Sequence, residues 1–156
     1  MMSKYSLRDT GQKKKNHLMY TRDEQQKIYS SKPEVKKRKN KRQKERYHED
    51  PVFRVKQLLS KGLYRWCKQI GMNKGGKTEE LVGYSGKEFK EHLESLFKDG
   101  MTWENHGKGE GGWEIDHRIP QSYFIEIDQL KECFALENLK PEWREWNQSK
   151  GNRFIG

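Results

Sequence analysis

Trp113-Glu114-Ile115-Asp116-His117-Arg118-Ile119-Pro120 and, about twenty residues on, Asn138-Leu139-Lys140-Pro141-Glu142-Trp143-Arg144-Glu145-Trp146-Asn147-Gln148-Ser149-Lys150-Gly151-Asn152 are the two stretches on which the fold turns. The first reads as a short strand from Trp113 to Ile119. Neighbouring side chains on a strand point to opposite faces, so Asp116 and His117 could address one phosphate only if the strand ends or bends there. Pro120 fits such an ending. Asn138 then opens a second short strand, Leu139 to Trp143. A helix from about Arg144 to Gly151 follows, with Asn147 and Lys150 on one face at a three-residue step. Carboxylate, imidazole and carboxamide in this order suit a one-metal phosphodiesterase, with hard oxygen ligands for Mg²⁺ and a base for water.

Working outward, the chain has 156 residues, of which 31% are hydrophobic and 36% charged, so any compact core is small. Residues 1–48 hold 16 Lys/Arg and 5 Asp/Glu, a net of +11, whereas residues 49–156 hold 17 and 18, a net of −1. All the excess positive charge therefore belongs to a basic N-terminal arm, and a polyanion such as nucleic acid is its expected partner. Within it, Lys36, Lys37, Arg38, Lys39, Lys41, Arg42, Lys44 and Arg46 form a run that cannot be a core element. Like charges repel in the free chain, which predicts disorder or a fraying helix that orders on its partner. A solubilising tail or localisation signal is the plainer alternative.

Residues 49–100 read as a helical segment packed on residues 101–156. Asp50 as N-cap and Pro51 in the first turn open a helix. Val52, Val55, Leu59, Leu63, Trp66 and Ile70 then form its apolar stripe, which Gly62 is expected to split. Arg54, Lys61, Arg65 and Lys68 lie off the stripe, facing either phosphate or solvent. Gly71 to Thr78 formally matches the phosphate-binding P-loop pattern. Such a loop needs a buried strand before it, and a charged amphipathic helix stands there instead, so no nucleotide cofactor is expected. Ser85 and Glu88 form a capping box whose helix buries Phe89, Leu93, Leu96 and Phe97, with Gly100 as its close. Residues 105–112 are a glycine-rich connector in which His106 reads as an exposed loop histidine.

The two cysteines, Cys67 and Cys133, form no Cys-x-x-Cys pair, which argues against structural zinc and a disulfide framework. No apolar run reaches membrane-spanning length, and no signal-peptide pattern is read, so a soluble cytoplasmic protein, not secreted and with no membrane partner, is expected. The fold class expected from these patterns is α+β: mostly helical, with a C-terminal hairpin-plus-helix site and a basic arm.

Asp116-His117, Asn138-Leu139-x-Pro141 and Asn147-x-x-Lys150-Gly151 in that order resemble the HNH endonucleases of the ββα-metal superfamily, in an H-N-N form. Together with Met101-Thr102-Trp103-Glu104-Asn105, they resemble small bacteriophage HNH nucleases over about residues 80–154. The chain departs from many such proteins in lacking zinc-binding Cys pairs. Trp103, Trp113, Trp143, Trp146 and Phe134 are expected to hold the motif instead. The resemblance implies a Mg²⁺-dependent DNA endonuclease (Mn²⁺ a substitute) that leaves 3′-hydroxyl and 5′-phosphate ends and is phage-encoded, homing-type or packaging-associated. His117 would be the general base, Asp116 and Asn147 the metal ligands, and Asn138 a clamp on the backbone near His117. Lys150 would contact phosphate, with Arg118 and Arg153 as weaker candidates, and Glu114 would support Asp116 from the same strand face. Two nicks need two sites, so double-strand cutting would need a homodimer on DNA. The rival reading is a non-catalytic nucleic-acid-binding protein on a degenerate HNH scaffold, in which Asp116 and Asn138 serve as turn and cap residues and His117 is structural.

Overall fold

The computed structural model describes residues 20–154; the first 19 residues of the basic arm lie outside the described residues. The chain divides into two units between Glu45 and Arg46, three residues before the boundary expected from charge. In the first, Thr21 caps helix α1 (Arg22–Ser31) through a capping box with Glu24, and α2 (Pro33–Glu49) begins two residues after α1 ends. The basic run is therefore helical, and neither helix buries a residue. Among the described residues none of α2 is buried, so its helicity rests on backbone propensity and exposed pairs such as Lys41–Glu45 at 3.8 Å, with Arg54 holding the Tyr47 and His48 carbonyls at its end.

The second unit is built on α3 (Pro51–Gln69). Asp50 Oδ1 accepts from the Phe53 amide at 2.9 Å, and Val55, Leu59, Leu63 and Trp66 are buried as their spacing requires. Contrary to expectation, Gly62 does not split the helix. It faces the Phe134 ring, and burial of the stripe outweighs the roughly 1 kcal/mol that a mid-helix glycine costs. A short α4 (Thr78–Val82) follows the Gly71–Lys77 loop, and the element before that loop is helix α3. Helix α5 (Gly86–Ser95) starts at the Ser85 capping box and ends well before Gly100. The next turn instead bends so that Phe97 packs on Trp113, with ring centroids 4.9 Å apart.

Strands β1 (Trp113–His117) and β2 (Leu139–Trp143) form one antiparallel pair in which Asp116 lies opposite Lys140 and His117 opposite Leu139. Between them runs a long connection holding α6 (Leu130–Cys133), and α7 (Arg144–Lys150) closes the unit against both strands. The mostly helical α+β class is thus the fold that forms. Phe89, Leu93, Phe124, Leu130, Phe134 and Leu139 complete the core over α3. Carbonyls of the long connection are met by core polar groups: Trp66 Nε1 donates to Phe124 O at 3.0 Å and Tyr84 Oη to Phe134 O at 2.8 Å. The aromatic support differs from the expected set. Trp113 is fully buried among Phe97, Trp103 and His106, Phe134 packs on Trp66 and His117, and Trp146 is 48% exposed. No helix among the described residues is long and apolar enough to cross a membrane.

Candidate active site on the two-stranded sheet

Strand β1 ends at His117, the first of the two alternatives expected there and two residues short of Ile119, and its pairing is regular up to that point, so Asp116 and His117 face opposite sides of the sheet. Glu114 and Asp116 meet α7. His117 and Ile115 line a cavity of about 850 Å³ on the side of α3, a cavity that Glu114 also borders.

On the α7 side, one helical turn matches two strand residues. Asn147 Nδ2 donates to Glu114 Oε2 at 3.3 Å, and Lys150 Nζ donates to Asp116 Oδ1 at 3.0 Å and Oδ2 at 2.8 Å. Lys150 gives its remaining proton to His117 O at 2.5 Å and is only 3% exposed. With all three donors used internally, it is not the phosphate-facing cation expected from the sequence. Lys140 stands 3.9 Å from Asp116 Oδ2 and 3.0 Å from Glu142 Oε2, and Glu142 also pairs with Lys98. Burial works to raise the Glu142 carboxyl, but hydrogen bonds from Lys98, Lys140 and the Trp143 amide outweigh it and hold it below the usual carboxylate range.

His117 is set by what surrounds its ring. Phe134 meets it edge-on, with centroids 5.3 Å apart, and the Gln121 amide donates to Nε2 at 3.2 Å, which marks Nε2 as the unprotonated nitrogen. Burial, with further contributions from the positive charges of Lys150 and Arg65, lowers its pKa to about 4. The imidazole is therefore neutral and able to accept a proton throughout the neutral range. His106 is half-buried against Trp113 rather than exposed in its loop, and burial followed by the charge of Arg54 lowers it to about 4 as well.

Asn138 does what was expected of it. Its Oδ1 accepts from the Ile119 amide at 2.8 Å, while Nδ2 donates to Cys133 O at 2.8 Å and Ile119 O at 3.3 Å. Its own carbonyl accepts from Arg118 N at 2.8 Å, so one buried carboxamide ties the chain just past His117 to the end of α6. Arg118 Nε donates to Glu137 O at 3.0 Å and Arg153 Nε to Lys150 O at 3.1 Å, so both arginines brace backbone. Arg118 also lines a smaller hollow of about 460 Å³ with Lys98, Lys140, Trp146 and Phe154. The arm residues Lys36, Lys37, Arg38, Lys39, Lys41, Arg42 and Lys44 lie on α2 in the first unit, and Arg46 pairs with Asp50 at 3.2 Å in the second.

For a hard dication, the donor class is right: Glu114, Asp116 and Asn147 offer oxygens along one seam between β1 and α7. Both Asp116 oxygens accept from Lys150, however, and the described residues contain no cluster of three His, Cys, Asp or Glu side chains placed to hold a metal. Asp116 and Asn147 could hold such an ion once the Lys150 ammonium withdraws. Arg65, which the sequence offered to either phosphate or solvent, joins His117 in its cavity although 52 positions separate them, a proximity no local pattern signals. The Glu114–Asn147 bond was partly signalled, since Glu114 shares a strand face with Asp116.

No known protein family matches the chain, and no solved structure does. It is similar to two uncharacterized proteins of Acanthamoeba polyphaga mimivirus. Identity to uncharacterized protein L426 is 35% over 148 residues, covering 92% of this chain and 62% of that protein. Identity to uncharacterized protein L246 is 30% over 109 residues, covering 69% of this chain and 46% of that protein. The chain thus spans less than two thirds of the length of either relative.

Proposed function

We propose that the protein is a metal-dependent DNA endonuclease of the HNH kind, hydrolysing phosphodiester bonds to 3′-hydroxyl and 5′-phosphate ends. The observation that carries the reading is a single ββα unit in which a neutral His117 opens onto a large cavity while Glu114, Asp116 and Asn147 line the seam behind it. His117 Nε2 takes the proton of the attacking water after leaving its Gln121 contact. Phosphate arriving in the cavity brings negative charge towards the imidazole, which raises its pKa from about 4 and strengthens it as a base. Asn138 keeps the segment after His117 in register with β2, so that the ring's position does not depend on the long connection. Asp116 and Asn147 would hold Mg²⁺ or Mn²⁺, with Lys150 yielding the carboxylate. Such an ion, when bound, neutralises charge building on the leaving oxygen. One copy nicks one strand, and a double-strand break takes two copies on DNA.

One observation favours a second reading, a DNA-binding protein without catalysis: Lys150 satisfies both oxygens of Asp116 with no metal required. Nicking of supercoiled plasmid by the purified full chain, with Mg²⁺ or EDTA and with His117→Ala alongside, separates the two. Metal-dependent nicking lost in His117→Ala supports the nuclease. Plasmid binding without any nicking across a metal series leaves the binding protein.

A further inference from the structure

Helix α3 carries five Lys/Arg and no Asp or Glu across its 19 residues. Arg54 is spoken for, with Nε donating to Tyr47 O at 2.8 Å and Nη2 to His48 O at 2.9 Å, and Lys56 pairs with Glu79 at 3.0 Å. Lys61, Arg65 and Lys68 remain, together with Tyr64, on the helix face turned away from the buried stripe. Arg65 makes no hydrogen bond or ion pair among the described residues, although it borders the His117 cavity. The carboxylates of that cavity already have cations: Arg144 stands 3.6 Å from Glu114, and the charges of Arg54 and Lys108 act on Glu104.

Arg65 also borders a second hollow, of about 630 Å³, with Lys61, Tyr64 and Lys74. The two hollows share Arg65 and Leu58, so they are contiguous. Lys74 comes from the loop whose sequence imitates a P-loop, which gives that glycine-rich segment a place in the molecule. Tyr64 is 58% exposed, with no ring or hydrogen-bond partner among the described residues.

We propose that Lys61, Tyr64, Arg65 and Lys74 form a track for a single nucleic-acid strand that delivers its backbone to His117. Three cations along contiguous hollows match the phosphates of one strand, and a solvent-facing tyrosine between them offers a platform for an unpaired base. Arg65, at the junction, holds the phosphate that enters the His117 cavity, its planar guanidinium donating to two phosphate oxygens at once. The track rests on the nuclease reading for its destination, but its affinity can be measured without cleavage.

The test uses full-length protein carrying His117→Ala, fluorescein-labelled single-stranded DNA, and anisotropy across a salt series. Each phosphate contact on a single strand contributes roughly 0.7 to the slope of log affinity against log salt, so Lys61→Gln, Arg65→Gln and Lys74→Gln together should flatten it by about 2. Tyr64→Ala should weaken single-strand binding on the order of 10-fold and leave duplex binding unchanged, with Tyr64→Phe restoring it. The control Lys87→Gln with Lys131→Gln removes two exposed charges of the second unit that lie outside both the track and the basic arm. A slope unchanged by the track variants, or flattened equally by the control, overturns the track. Equal losses on duplex and single strand from Tyr64→Ala overturn base stacking. Wild-type protein that never cleaves while the track variants lose binding refutes the nuclease and leaves the track standing.

Discussion

Lys150→Met removes three hydrogen bonds and one buried positive charge while keeping an unbranched side chain of similar length. What remains is the Asp116 carboxylate, 6% exposed, with Lys140 Nζ at 3.9 Å as its nearest cation. Breaking a buried pair by removing one partner costs about 3–5 kcal/mol, because the surviving charge has lost both water and its counter-charge. Lys140 can swing partly into the gap, so the low end, about 3 kcal/mol, is expected. For a folded unit of this size, that lowers the melting temperature by roughly 10 °C. Urea unfolding followed by circular dichroism measures the loss, and the double variant Asp116→Asn/Lys150→Met measures the coupling. The double variant should recover at least about 2 kcal/mol, since no unpaired carboxylate is left buried. If Asp116 and Asn147 take a cation once Lys150 is gone, millimolar Mg²⁺ should stabilise Lys150→Met more than the unmodified protein, by mass action on the folded state. A loss under about 1 kcal/mol with no coupling would show that the ammonium and carboxylate do not depend on each other, and the account of the β1–α7 seam would fall.

His117→Ala should lower cleavage on the order of 10²–10⁴-fold while leaving DNA affinity intact, measured by plasmid nicking and anisotropy. Because the imidazole stays neutral down to about pH 4, the acid limb of kcat/KM should fall near pH 4 rather than near 6.5, read from initial rates across pH. Both His106 and His117 have folded-state pKa values below the unfolded value, so the unfolded chain takes up protons first. Stability should be whole above pH 6.5 and decline as pH falls from there to about 4, seen as a falling melting temperature. Gly112→Ala should destabilise by about 1–3 kcal/mol in urea, since its Cβ would sit 1.9 Å from the Lys108 carbonyl oxygen, a backbone atom that must move. Deleting residues 1–45, with 15 Lys/Arg against 5 Asp/Glu, should flatten the duplex-DNA salt slope by several units, at roughly 0.9 per phosphate contact, while low-salt cleavage persists. The cut belongs at Glu45 because Arg54 in the body hydrogen-bonds the carbonyls of Tyr47 and His48.

The elements came from local rules, and those rules read directly from the chain. Asp50-Pro51 with its apolar stripe, Ser85 with Glu88, and the two short strands before a helix each need only residues a few positions apart, so periodicity and capping identify them. Asn138 was equally legible, since a carboxamide just ahead of a strand has backbone groups within reach whatever the rest of the chain does. Three outcomes were decided by tertiary packing. Gly62 stays helical because the long connection brings Phe134 against it and the stripe is buried, a long-range gain larger than a local preference. Asp116 and His117 face apart, as strand alternation implies, because pairing with Lys140 and Leu139 keeps β1 regular up to His117, and that pairing joins positions more than twenty residues apart. Lys150 turns inward and Arg65 stays free for the same kind of reason. A charged side chain is assigned by whichever opposite charge the fold carries to it, and those partners lie 34 positions from Lys150 and, for Arg65, nowhere among the described residues.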